Sequence, residues 1–257
     1  MNNNINYELE LLFGRWQERM EKKNSFTKDG ILYKNDLSED EAIKKWTESS
    51  KRVIFLLKDQ HQYGEQKWIE DIRYWLKDVN WENKENWNAQ ACANRNLKSK
   101  FFKNIAYILW GLIKVDKDND WLYHEVENHH NEVKELLANQ PFALVECKKD
   151  PGGPICRNPI LRQHIKTYGD LLKEEIAVLN PNMIVCTNDI IYDFVLKMFP
   201  ENELVSIENH NSIRFHPQSG TLIFCSYHPS ARYKNNNEIY NGVMDHYRAF
   251  LKSIYNL

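Results

Sequence analysis

Four short apolar runs in the 257-residue chain each end in polar side chains whose types can do chemistry. Lys58-Asp59-Gln60-His61-Gln62 follows Val53–Leu57, and Glu146-Cys147-Lys148-Lys149-Asp150 follows Phe142–Val145. Thr187-Asn188-Asp189 follows Met183–Cys186, and Ser226-Tyr227-His228-Pro229-Ser230 follows Thr221–Cys225. An ionised carboxylate accepts hydrogen bonds and carries negative charge, whereas a neutral imidazole donates one hydrogen bond and accepts another. Asp59, Glu146 and His228 are therefore candidates for electrostatic and acid–base work on a ligand, provided the fold brings them together. Each also has a plainer reading. Asp59 can cap a following helix, Glu146 can pair with Lys148 or Lys149, and His228-Pro229 can be a structural turn.

The elements that must position these groups are read from periodicity. Val53-Ile54-Phe55-Leu56-Leu57 is continuously apolar and rich in β-branched residues, the pattern of a strand buried on both faces of a parallel sheet. Phe142–Cys147, Met183–Thr187 and Thr221–Cys225 read the same way. Helical spacing is expected over Tyr7–Lys23 and from Ser38 onward. Between Gln66 and Asn139 it recurs at Trp68, Ile72, Trp75 and Leu76, then at Phe101, Ile105, Ile108, Leu109 and Leu112. Asn80–Asn96 reads as a long surface loop, and Asp150-Pro151-Gly152-Gly153-Pro154 as a turn. Further helices are expected over Leu161–Leu179, stopped by Pro181, over Asp189–Met198, and from Asn237 to the end, with a hairpin before the fourth strand. The prediction is a three-layer α/β/α fold around a central, mainly parallel four-stranded sheet with right-handed crossovers. It forms one domain over residues 1–257, with 1–50 as a helical N-terminal extension. In such a sheet ligands bind beyond the carboxyl ends of the strands, where all four polar stretches fall.

Composition narrows the class. A hydrophobic content of 42% supports a substantial core. The five cysteines are scattered and odd in number, which points to free thiols in a reducing compartment. Met1-Asn2-Asn3-Asn4 is polar, and no apolar run approaches the roughly 18 residues that span a bilayer. A cytoplasmic protein without membrane insertion is expected. The net charge of −2 gives no basic footprint, and Lys98, Lys100 and Lys103 read first as a solvated helix face rather than as phosphate contacts. No metal or cofactor is expected: Cys147 and Cys156 lack a second pair, and the adjacent His129 and His130 point different ways on a helix.

The order of these motifs resembles the uracil-DNA glycosylase superfamily. The similar features are an acidic loop after the first strand, a polar residue in the second, and His228-Pro229-Ser230 after the last. The helix, proline turn and strand of Leu171–Val185 add to the likeness, which covers about Val53 to Leu257. The resemblance implies a monomeric, cofactor-free DNA glycosylase that flips a base from DNA. Asp59 would position water and favour a cationic sugar, and His228 would stabilise the departing anionic base. Tyr63, Phe101 or Phe102 would stack on that base, and Lys58, Ser230, Arg232 and Tyr233 would meet the DNA. Two departures stand out. Leu57, Lys58 and Gln60 replace the Gly, Gln and Pro frequent in the first motif, and Glu146 replaces the amide that usually reads uracil. An ionised glutamate only accepts, so a modified or amino-bearing base is expected rather than plain uracil. DNA repair is the default role, and bacterial defence against modified DNA is compatible with it.

Two rivals use the same residues. Phe142–Lys148 also resembles the Glu-x-Lys strand of metal-dependent restriction-endonuclease-like nucleases, in which Glu146 would bind Mg²⁺ and Lys148 would aid catalysis. That scheme gives His228-Pro229-Ser230 no role. The other rival is a DNA-binding module of the same fold that lacks catalysis.

Overall fold

Val53 to Leu57 are at most 1% exposed, and their side chains alternate between two separate apolar cores. The computed structural model describes residues 5–20, 25–61, 69–78, 87–152 and 156–255. In chain order its first elements are α1 (Ile5–Arg19), β1 (Phe26–Lys28), β2 (Gly30–Ile31), α2 (Glu39–Glu48), β3 (Val53–His61), β4 (Ile69–Asp71), α3 (Trp87–Arg95) and α4 (Lys100–Lys114). There follow α5 (Tyr123–Asn128), α6 (His130–Asn139), β5 (Phe142–Gly152), α7 (Asn158–Leu179), β6 (Met183–Cys186) and α8 (Asp189–Leu196). The last are β7 (Val205–Ile207), β8 (His210–His216), β9 (Thr221–Cys225) and α9 (Asn236–Tyr255).

The main sheet runs β2-β5-β3-β6-β9-β8-β7. Its middle four strands, β5, β3, β6 and β9, are mutually parallel. The expected four-stranded sheet is thus corrected to a seven-stranded, mixed one. β2 joins antiparallel at one edge, and the β7–β8 hairpin adds antiparallel strands at the other. Both additions carry weak signals. β2 has two residues, and β7 is mostly exposed, so neither shows the apolar run of a central strand.

Val53, Phe55, Leu57, Phe142, Leu144 and Phe224 face one core, which includes Phe102, Ile105 and Leu109 of α4 and Ile239 and Val243 of α9. Ile54, Leu56, Val145, Cys147 and Ile223 face the other, with Leu9 of α1, Ile176 of α7 and Ile191 of α8. Burying each large aliphatic side chain stabilises the fold by roughly 1.5–3 kcal/mol.

Local chemistry fixes the helix ends. Ser38 Oγ accepts the Glu41 N–H at 3.2 Å while Glu41 Oε2 accepts the Ser38 N–H at 2.8 Å, a reciprocal cap for α2. Asn180 closes α7 in the left-handed region at φ 46°, just before Pro181.

Several expectations need correction. Ile69–Asp71 is a strand paired with β1, and Ile72–Tyr74 is one 3₁₀ turn, so the helical spacing there reflects a short turn against the core. Trp87–Arg95 is a helix inside the expected loop. Trp68 lies outside the described residues. Asp150-Pro151-Gly152 continues β5, with Gly152 opposite His61, instead of turning. Residues 1–50 supply β1 and β2 as well as helices, and Trp16 and Trp46 within them are fully buried. No helix among the described residues is long and apolar enough to cross a membrane.

Candidate active site

Parallel pairing places Leu57 opposite Glu146 and Asp59 opposite Lys148. Strand alternation then puts Asp59, Glu146 and Lys148 on the α4 side of the sheet, in line with Leu57 and Leu144. The register shifts between Asp59 and His61, an irregularity of the kind that re-aims side chains at strand ends. Lys148 Nζ lies 3.3 Å from Asp59 Oδ2 and 3.4 Å from Asp150 Oδ2, and it donates to the Asp150 carbonyl. The Asp59 and Lys148 side chains are only 7% and 8% exposed. Burial raises the Asp59 pKa above its ordinary value, against the lowering pull of the Lys148 ammonium and a hydrogen bond from the Cys156 thiol. Burial pushes that thiol up to about 11. Gly152 packs directly on the Asp59 carboxylate, and a Cβ there would collide with it.

Glu146 is 2% exposed, and its Oε2 is buried without a hydrogen-bond partner. Burial first, then the charges of Asp29 and Asp59, push its pKa well above the ordinary carboxyl range. Its backbone N–H donates to Asp29 Oδ2 at 2.7 Å. On the opposite face Lys149 Nζ donates to Asp29 at 2.5 and 2.6 Å and to Glu175 at 2.8 Å, a fully buried cluster. Gly30 lets the chain enter β2 directly after Asp29, because its φ of +127° excludes most side chains and a Cβ would press on Leu9.

His228 follows β9 on a loop. Its Nδ1 accepts the Ser230 backbone N–H at 3.2 Å, and Ser230 Oγ lies 2.8 Å from the same nitrogen. A backbone amide only donates, so the proton of the neutral ring sits on Nε2. Burial, followed by the positive charge of Lys58, lowers the imidazole pKa to about 4. The Phe101 ring lies 5.9 Å away, centroid to centroid. From α4, Asn104 Nδ2 donates to the Pro229 carbonyl at 2.7 Å, and Lys100 Nζ donates to the Ala231 carbonyl at 2.7 Å.

The remaining residues singled out in the sequence divide clearly. Tyr63 lies outside the described residues. Phe102 is a core side chain at 2% exposure, which corrects its reading as a stacking residue, whereas Phe101 is half-buried beside His228. Lys58 Nζ donates to Asn158 Oδ1 at 3.2 Å. Ser230 and Arg232 are exposed, and Tyr233 is 76% exposed with its ring edge-on to Tyr227. Lys100 and Lys103 are not a free solvated face: the first holds the His228 loop and the second pairs with Glu127 at 3.0 Å. Asp29 and Asn104 escaped the sequence reading, and Lys100 was read only as a surface charge, because their partners lie 117, 125 and 131 positions away, beyond any local pattern. All five cysteines are free, and no group of three or more His, Cys, Asp or Glu suited to a metal ion occurs among the described residues.

The ends of the parallel strands, where α/β proteins bind ligands, thus carry a buried Asp–Lys pair and a buried glutamic acid, followed by a histidine of defined tautomer. The chain belongs to the Uracil DNA glycosylase superfamily, which it matches over residues 70–253. The matched segment contains Glu146 and His228, and Asp59 precedes it. No curated protein matches the chain.

Proposed function

We propose that the protein is a DNA glycosylase that draws a nucleotide out of DNA and hydrolyses its N-glycosidic bond, with Asp59 and His228 as the catalytic pair. Membership of the superfamily supports the activity. The observation that carries the residue assignment is the His228 ring, neutral above about pH 4 and with its proton on Nε2. Cleavage leaves negative charge on the base and positive charge on the sugar. An Nε2–H can donate to the anionic base without giving up its proton. Asp59 would orient water and stabilise the sugar cation, and Phe101 would stack on the extruded base. Lys58, Ser230, Arg232 and Tyr233 form the expected DNA-facing rim. Free thiols fit a reducing compartment such as the cytoplasm, where the protein would work as a monomer in repair or in defence against modified DNA.

Glu146 would read the base. As an ionised carboxylate it would select an amino-bearing base, such as a cytosine or adenine derivative, and its proton therefore governs the choice.

Duplex oligonucleotides carrying uracil, cytosine derivatives or adenine derivatives, incubated in EDTA and then treated with alkali, test the proposal. Abasic sites formed without metal, and lost in Asp59→Asn and His228→Leu, are expected. Direct nicks that require Mg²⁺ would favour the Glu146–Lys148 nuclease instead. DNA affinity unchanged by Asp59→Asn, with no abasic sites on any base, would leave a binding module.

A further inference from the structure

Glu146 Oε2 is buried and meets no hydrogen-bond partner, an arrangement that is unfavourable unless a ligand answers it. The neighbouring ammonium groups are already engaged. Lys149 is bound by Asp29 and Glu175, and Lys148 by Asp59 and Asp150. The groups that act on Glu146 from the surrounding elements are Asp29 before β2, Asp59 on β3, and Lys148 and Lys149 on β5. Ionising Glu146 would add a further negative charge beside two carboxylates in a site from which water is excluded.

We propose that Glu146 reads the extruded base as a neutral carboxylic acid, its O–H donating and its C=O accepting, so that the ligand is a base edge with one acceptor next to one donor. The carbonyl and ring N–H of uracil or hypoxanthine form such an edge, and so do the ring nitrogen and amine of cytosine. An edge with two adjacent donors, which would suit an ionised glutamate, is excluded. This inference rests on the proposed glycosylase function and widens its substrate class to uracil-type edges: the departure from the family's amide becomes a chemical equivalent of it. The upward displacement of the Glu146 pKa agrees with this state.

The decisive substitution is Glu146→Gln, whose amide is a permanent donor–acceptor pair of the same shape. Excision on the preferred base is expected to stay within about threefold of the unmodified protein near neutral pH. The decline of the unmodified enzyme as rising pH ionises Glu146 should disappear in the amide variant. Glu146→Leu, equally able to fill the site, should lose excision about 100-fold or more, in line with one or two lost hydrogen bonds in a buried site. An infrared difference spectrum between the unmodified protein and Glu146→Gln at neutral pH should show the carbonyl stretch of a protonated carboxyl, a readout independent of activity. Absence of that band overturns the inference, and so does an inactive Glu146→Gln beside an active unmodified enzyme. Failure of the unmodified enzyme on every base sinks the proposed function, and the reading of a base by Glu146 with it.

Discussion

Lys148 Nζ stands 3.3 Å from Asp59 Oδ2, joining two side chains 89 positions apart through the parallel pairing of β3 with β5. Burial raises the Asp59 pKa, and the ammonium opposes that rise. The same contact partly neutralises that carboxylate. The pair therefore sets how much negative charge is present at the strand ends.

Lys148→Met removes the opposing charge. The Asp59 pKa is expected to rise further, so that the acid limb of the excision profile moves to higher pH. At a fixed pH on that limb the rate should fall on the order of tenfold for each pH unit the limb travels. Lys148→Arg keeps the charge and should hold the limb near its original place. Single-turnover excision across pH reads both, and an unmoved limb in Lys148→Met would show that the pair has no part in the chemistry.

His228 gives a prediction of opposite sign. Its folded-state pKa of about 4 lies below the ordinary value of 6.5, so between these limits the unfolded chain binds a proton that the folded chain refuses. The stability linked to this ring is present above about pH 6.5 and is lost as pH falls toward 4. Excision should show no histidine limb between about pH 5 and 8, the range in which an unperturbed imidazole would titrate. Lys58→Met should raise the imidazole pKa by removing a like charge. NMR titration of the His228 ring measures both values. His228→Leu should reduce excision by about 10²–10³-fold, the usual effect of losing one donor to a developing anion.

The buried cluster beneath Glu146 has a structural consequence. Lys149→Met leaves Asp29 and Glu175 facing each other without their ammonium, and a loss of about 3–5 kcal/mol is expected. Replacing all three members with well-packed apolar residues should cost far less, because no uncompensated charge remains. Urea unfolding of the single and triple variants separates the two outcomes, and equal losses would refute the charge argument.

The central strands were legible because burial on both faces demands continuous apolar sequence, and Val53–Leu57, Phe142–Val145, Met183–Cys186 and Thr221–Cys225 all have it. The edge strands were not, since β2 is too short and β7 too exposed to carry a pattern. Asp59, Glu146 and His228 could be singled out because polar residues directly after apolar strands fall at the ligand-binding edge. The raised Glu146 pKa could not: it comes first from burial and then from Asp29, which reaches β5 from 117 positions away.

Phe101 and Phe102 meet edge-on at 5.2 Å between ring centroids and both touch Trp75, but Phe101 is half-buried beside His228 whereas Phe102 is inside the core. Phe101→Ala should weaken binding of a flipped base by about 1–3 kcal/mol, the range for a lost base–aromatic stack. Because Phe101 is only partly buried against the core, its loss should destabilise the fold less than that of Phe102. Phe102→Ala should instead destabilise the fold by about 3–5 kcal/mol through the cavity it opens, with little effect on excision by the fraction that remains folded. Thermal unfolding together with excision per folded molecule distinguishes them. If Phe101→Ala lowers stability as much as Phe102→Ala while excision per folded molecule holds, Phe101 is only a packing residue and the stacking platform must be sought elsewhere.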